Sequence, residues 1–504
     1  NNHLVFKSLE PGDSIHIKYR VANYYAGRLS NHFWDTHYFN LPHPQKFTRY
    51  ALLVPEELQF KHRTQNMPDE PEIRKTEDGL LYTWQLTDEP GIDYEEGMPI
   101  LGDVGKVLHV SSIEDWAFMA EWYQDLSRTK ARSSYEIKEQ VAQLFGDKQE
   151  LDDAGKIDLV YDFITNNIRY SSVSFRQSGL IPQKARDVLV NRIGDCKDVT
   201  TLGIAMLREV GIAAHYVLVN TNDEGNNASV LPSISFNHCI AAVETENGLQ
   251  YLDFTASGHP VGSLPAMDMG GFSLLVKPGV TAPNYLRRGD FMSNNIYRES
   301  TVAINPEYNL VAHKSTVCKG YIGATIRYLY KDLSQKEREK AFTEKLSSNY
   351  PNVRLTAFEL GDLESLTPEV RYRYSFEVPD YVTEAGPFLL FAVPWADARR
   401  TAAAVSYESR KYPIFEWSRT DTTSERITIT LPPGYEPVEL PSEVMHRSPV
   451  GDYTVAYHYA DGVLTAQREL IVHRTQVIPE DYADFKKLYN AMVKEDERQL
   501  LLRR

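Results

Sequence analysis

The spacing of apolar residues changes twice along this chain, and that change most limits how it can fold. Up to about residue 112 apolar side chains alternate with polar ones, as at Ile15, Ile17, Tyr19 and Val21, the mark of a half-buried strand. Turns punctuate this stretch at Leu41-Pro42-His43-Pro44 and Glu89-Pro90-Gly91. The period then lengthens to that of a helix. Trp116, Met119, Ala120 and Tyr123 share one face, as do Ile157, Val160, Tyr161, Ile164 and Ile168, and then Val199, Leu202, Met206 and Val210. Ser111 with Glu114, and Ser133 with Glu136, read as capping boxes that open the first two helices, and Gly211 stops the last. Alternation returns at 215–219, 236–243 and 249–254. Helices followed by an antiparallel sheet make this block α+β.

From about 296 the strand pattern dominates again. Ile427, Ile429 and Leu431 alternate, and Asp461-Gly462 between two alternating runs is a hairpin signal. Ser334 with Glu337 caps an inserted helix, and from Pro479 an amphipathic helix carries Tyr482, Phe485, Leu488, Tyr489 and Met492 on one face. The expected order is an antiparallel β domain over 1–112, an α+β core over 113–290, and a β-rich region over 296–504 that ends in a helix and is open to division into pieces of about 296–410 and 411–504. A chain of 504 residues, at ~150 per domain, agrees with about three domains.

Composition removes several function classes. With 54 Lys and Arg against 69 Asp and Glu the net charge is −15, so a basic face for nucleic acid is not expected. No run of ~18 apolar residues exists to span a membrane. Three cysteines exclude a disulfide scaffold and a four-thiolate metal site, and leave each cysteine to be read by its position.

Cys196 stands out in Arg192-Ile193-Gly194-Asp195-Cys196-Lys197-Asp198-Val199. It falls in the first turn of a helix, where free N–H groups and the positive end of the dipole favour thiolate, the nucleophilic form. Gly194 permits a tight turn and leaves room for a substrate backbone, and the Cys196 N–H is a candidate oxyanion donor. Taken alone, a cysteine so placed is more often a small buried hydrophobe. A nucleophile needs a base and the base an orienting group. His238 on one strand and Asp253 on the next arrive in that order, although each alone has a bland structural reading. Cys239 points to the face opposite His238, and it and Cys318 read as core.

Strand register decides whether His238 meets Asp253. Placing them directly opposite leaves residues 244–247 as the turn, whereas a two-residue Asn247-Gly248 turn separates them by four residues, roughly 13 Å at ~3.3 Å each. A hydrogen-bonded dyad therefore predicts the longer loop.

The run Gly194-Asp195-Cys196-Lys197-Asp198, the helix end Ala205 to Ile212, Asn237-His238 and Leu252-Asp253 resemble the bacterial transglutaminase-like core, a circularly rearranged relative of papain-type cysteine peptidases. Asn167-Ile168-Arg169-Tyr170 and Pro182 to Leu189 fit the same pattern, and the resemblance is closest over about 150–260. Residues 1–112 resemble the β domain of unknown function that precedes this core in many Bacteroidetes proteins, shortened at its first strands. Residues 411–504, with Arg410-Lys411-Tyr412-Pro413, Leu431 to Tyr435 and Ile478 to Tyr482, resemble the module that follows it. The resemblance implies antiparallel β-sandwich-like flanks around a papain-like α+β core. It implies Cys196 as nucleophile, His238 as general base and acid, and Asp253 as the residue orienting His238. A second oxyanion donor is implied upstream, with Gln177 and Tyr170 both candidates. It implies no metal and no cofactor, and an exported protein, periplasmic or at the surface of a Gram-negative bacterium, with its signal peptide removed and in some members a lipid anchor upstream.

The chemistry is acyl transfer through a thioester on a peptide or protein substrate. Water as acceptor gives a peptidase or amidase, the reading favoured by the resemblance; a lysine amine gives a transglutaminase. A third reading is a binding or assembly protein that works through its flanks.

Overall fold

The structure, a computed structural model, describes residues 5–504 apart from 23, 26, 147, 149, 173–178 and 226–230. The amino-terminal part is two three-stranded antiparallel sheets. In one, Val107–Ser111 lies between Trp34–Tyr38 and Lys61–Gln65; in the other, Gly79–Glu89 lies between Gln45–Val54 and Glu72–Thr76. Phe39, Trp84, Leu108 and Val110 are buried between them. The strand expected at Ile15 to Val21 does not form. Ile15, Ile17, Tyr19 and Val21 are 47%, 50%, 83% and 70% exposed, and among the described residues no strand pairs with them. A period-two pattern becomes a strand only where a ladder partner and a surface to cover exist.

In the central part, two helix starts differ from the sequence expectation. Ser111 ends a strand and its hydroxyl donates to the Pro232 carbonyl at 2.6 Å, so the first helix, Trp116–Ser127, is capped instead by Asp115, which accepts from the Phe118 N–H. Ser134, not Ser133, caps Tyr135–Phe145, because Ser133 is taken up by Glu209. In both cases the serine hydroxyl donates to an acceptor far along the chain, which leaves no local sign. Helices Asp153–Asn167, Ala185–Asn191 and Cys196–Glu209 follow. The sheet behind them runs, in spatial order, Gly248–Leu252, His238–Thr245, Ala214–Asn220, Phe272–Val276 and Asn284–Tyr285, with antiparallel pairing throughout.

The Cys196–Glu209 helix packs onto this sheet through Val199, Leu202, Ala205 and Met206, all buried. Its approach is close because residue 203 is glycine: a β-carbon there would stand 2.2 Å from the Phe254 ring. Ala is the better helix former by about 1 kcal/mol, so Gly203→Ala on an exposed surface would stabilise. Here the overlap reverses the sign. We expect Gly203→Ala to destabilise the core by about 1–3 kcal/mol in denaturant melts, since Phe254 must shift and Asp253 is its neighbour.

The carboxy-terminal region is built on one eight-stranded sheet, in the order Arg354–Leu360, Glu369–Val378, Leu310–Lys319, Asn295–Ile304, Thr422–Thr430, Val463–Val472, Gly451–Ala460 and Val444–Ser448. Asn295–Ile304 pairs in parallel with Thr422–Thr430, so the sheet runs continuously through both pieces of this region. Asp461 and Gly462 both have positive φ, 52° and 79°, as a two-residue hairpin turn requires. The capping box of Ser334 and Glu337 forms as expected. The region does not end in its helix: after Tyr482–Asp496, residues Gln499–Arg503 form a strand against Phe388–Ala392, in a second, four-stranded sheet. The sequence Gln-Leu-Leu-Leu-Arg lacks the alternation that announces a strand. No helix among the described residues is long and apolar enough to cross a membrane.

Specific polar contacts seat the core between its flanks. Arg327, 1% exposed, donates to the Gly258 carbonyl at 3.0 Å and to the Thr367 carbonyl at 2.5 Å, tying the loop after Asp253 to the carboxy-terminal region. Glu95 accepts from the Lys411 and Tyr412 N–H groups at 2.9 and 3.1 Å, joining the amino-terminal part to the same region.

Candidate active site

Asp195 and Asp198 set the position of Cys196. The Asp195 side chain accepts from the Asp198 N–H, and the Asp198 side chain accepts from the Asp195 N–H, a reciprocal cap that makes Cys196 the first residue of its helix. Asp198 also accepts from the Gln183 backbone and side chain, both at 2.7 Å, so the 182–184 segment is locked beside the helix start. Lys197 forms a buried ion pair with Asp195. Gly194 pairs with Tyr170 in a short parallel ladder, and a β-carbon at Gly194 would meet Asp198 at 2.7 Å.

His238 begins its strand, held by Asn237, whose side chain accepts from the Thr221 N–H at 2.9 Å and donates to the Thr221 hydroxyl at 2.6 Å. The imidazole Nε2 lies 3.3 Å from Asp253 Oδ2, and the ring is near enough to Cys196 for the thiol to influence its charge. With Nε2 turned to Asp253, Nδ1 is the nitrogen left for the cysteine. Asp253 is 1% exposed, and its other oxygen accepts from the Thr255 N–H at 2.8 Å and hydroxyl at 2.7 Å. The turn chemistry of Asp-x-Thr thus fixes the carboxylate and leaves one oxygen for the histidine.

The register that does this is neither of the two expected. Thr245 pairs with Gly248 and Ala241 with Leu252, so the turn is Glu246-Asn247. Continued past the strand end, Asp253 falls two residues along from the position opposite His238, roughly 7 Å at ~3.3 Å per residue. Both side chains stay on one face and close that gap by leaning toward each other.

The charges follow from this geometry. Burial disfavours a charged His238 ring, but the Asp253 carboxylate, through its charge and its hydrogen bond, outweighs it and pushes the ring up to about 12. Burial likewise works against a charged Asp253, yet the imidazolium and the Thr255 donors hold its carboxyl below the ordinary range. Asp268 gives the sequence reading no sign of itself. It sits in the turn between Pro265 and Gly271, 0% exposed, with Oδ1 3.8 Å from His238 Nε2, and neither of its oxygens has a hydrogen-bond partner. Burial first, then the charge of Asp253, push it well above the carboxylate range.

Of the two oxyanion candidates, Gln177 lies outside the described residues. Tyr170 is 47% exposed, next to Gly194 and close enough to Cys196 to feel its charge. Cys239 and Cys318 are buried in separate cores, and burial pushes the Cys318 thiol up to about 11 and the Cys239 thiol well above the ordinary thiol range. Only Cys196 is partly open. Iodoacetamide at neutral pH should therefore label Cys196 at least about tenfold faster than either buried cysteine in the folded protein, as peptide mapping would show.

A cysteine heading a helix, a histidine starting one strand and an aspartate just past the end of the next are thus brought together. Residues 140–254 match the transglutaminase-like superfamily, residues 2–93 the domain of unknown function DUF3857, and residues 388–502 the domain of unknown function DUF3858. The chain thus carries a transglutaminase-like domain flanked by those two domains. A solved structure from Parabacteroides distasonis, described as a "putative protease", is similar with a TM-score of 0.61 at 14% identity, over 94% of this chain and 75% of that one. At that identity the likeness shows the fold alone. Another, from Cytophaga hutchinsonii, described as a "putative cysteine protease", reaches a TM-score of 0.21 at 15% identity, over 46% of this chain and 80% of that one, and carries no argument. No curated protein matches the chain.

Proposed function

We propose that the protein is a cysteine hydrolase that cleaves a peptide or amide bond through Cys196, His238 and Asp253. The observation that carries this is the meeting of three side chains from three segments: a partly open thiol at a helix start, an imidazole beside it, and a buried carboxylate 3.3 Å behind the imidazole. The Cys196 sulfur attacks the carbonyl carbon. The oxyanion faces the Cys196 N–H, with Tyr170 as the side-chain donor. His238 gives its proton to the departing amine, leaving a thioester. It then takes a proton from water as the water attacks the thioester, and the carbon–sulfur bond breaks to release the acid product and return the Cys196 thiolate beside the protonated ring. Asp253 holds the ring and supports its charge. The substrate is a peptide or protein, and the chain acts in an exported setting, as the family resemblance implies.

Water is the favoured acceptor on that same resemblance. A peptide screen run with and without a fluorescent primary amine tests it. Cleaved peptide in both arms is the expected result. Amine-labelled glutamine peptide with no cleavage would make the protein a transglutaminase, and neither product on any peptide, with Cys196 freely alkylated, would favour a binding role.

A further inference from the structure

Behind His238 the site holds one carboxyl more than a Cys-His-Asp arrangement requires. Atoms from His238, Asp253 and Asp268 all lie within 4.8 Å of one another. The oxygens of Asp253 are accounted for: Oδ1 accepts from Thr255 and Oδ2 faces His238. Those of Asp268 are not. Both are buried without a donor, and the histidine, at 3.8 Å, is too far to serve as one. An ionised carboxylate without donors beside a second ionised carboxylate is a costly arrangement in a buried site. A single proton resolves it, because a carboxylic acid becomes a donor, and the Asp253 carboxylate, with an oxygen within 4.8 Å, is an acceptor beside it. The remaining charged groups near Asp268 are His238 and, more distantly, Asp223 on the Asn222–Glu224 turn, and neither carries a hydrogen to its oxygens.

We propose that Asp268 is a positioning residue of this site, its O–H donating to Asp253 and so fixing the carboxylate that orients His238. The proposal rests on the assignment of Cys196, His238 and Asp253 as the reacting set. Asp268 touches no substrate; it acts through Asp253. It comes from a different turn, on the far side of the sheet's central strand, so it also ties the Pro265–Gly271 segment to the site.

The roles of donor and of charge are separable by substitution. Asp268→Asn keeps the shape, is neutral at every pH and still offers an N–H to Asp253. Asp268→Ala removes the donor. Peptide hydrolysis by Asp268→Asn should stay within about threefold of wild type, with the alkaline limb of its pH profile unmoved. Asp268→Ala should lose about 10- to 100-fold in kcat with KM little changed. Melting curves of both variants identify a protein that has merely failed to fold. Infrared difference spectra of wild type and Asp268→Asn supply a reading that does not depend on activity: the carbonyl stretch of a buried, protonated carboxylic acid, present at pH 7 and lost in the variant. The proposal is overturned if Asp268→Asn falls as far as Asp268→Ala, if a well-folded Asp268→Ala matches wild type, or if the acid band is missing. It is overturned too if Zn2+ binds the wild-type protein by calorimetry and not Asp268→Asn, which would make the cluster a metal site with an ionised Asp268. Cys196→Ala run alongside separates this from the parent assignment: hydrolysis that survives loss of the thiol removes the reacting set, whatever Asp268 does.

Discussion

Cys196→Ala is expected to abolish hydrolysis, with turnover down by about 10⁴-fold or more on any peptide the wild-type protein cleaves. The size of the loss follows from the role. Without the sulfur no thioester forms, and the remaining groups can only hold substrate and polarise its carbonyl. The fold should survive. Alanine suits the first helical turn, the Asp195–Asp198 cap does not involve the cysteine side chain, and Cys196 is packed only at the margin of the core. Substrate binding should persist in the variant, so the loss belongs to kcat.

The second large effect belongs to Asp253. Asp253→Ala removes both the orientation and the charge behind His238 and is expected to lower kcat/KM by about 10²–10⁴-fold. Asp253→Asn keeps the orientation and discards the charge, so it should be milder in rate and clearer in pH. Asp253 is the leading influence raising the histidine toward about 12. The protonated ring is the form that serves the leaving amine, so wild-type activity should hold well into the alkaline range. In Asp253→Asn the alkaline limb should move down by more than about one pH unit. Stability has its own window. The Asp253 carboxyl lies below its ordinary value, so its contribution is complete above about pH 4 and fades as pH falls through the folded value. His238 lies above its ordinary value, so its contribution is complete below about pH 6.5 and is lost only as pH rises toward about 12. The gap in melting temperature between wild type and Asp253→Asn should therefore be steady from about pH 5 to 6, narrow below about pH 4, and narrow again as pH rises beyond about 6.5.

The sequence shows the parts of this site that local rules govern. A helix start at Cys196 follows from Gly194, Asp195 and the apolar stripe after it, and the strands of His238 and Asp253 follow from alternation. Register was harder, because a two-residue turn can sit at several places in Glu244 to Gly248, each gives a different offset along the strand, and all of them keep the same side chains on the same face, so the alternation does not single out the Glu246-Asn247 turn. Asp268 was out of reach, because a turn between Pro265 and Gly271 has no period and nothing in it marks one aspartate as buried. The same limit applies at the ends. The Ile15 to Val21 alternation finds no partner strand among the described residues, and Gln499–Arg503, which does find one, carries no alternation. Long-range pairing decided both.

Trapping the acyl-enzyme tests the central claim most directly. Wild-type protein mixed with a cleaved peptide substrate, quenched in acid during turnover and mapped by mass spectrometry, should carry the acyl half of the substrate as a thioester on Cys196. Cys196→Ala should carry none and cleave nothing. Steady cleavage by Cys196→Ala, or turnover in the wild type with the acyl group found on another residue, would contradict the account.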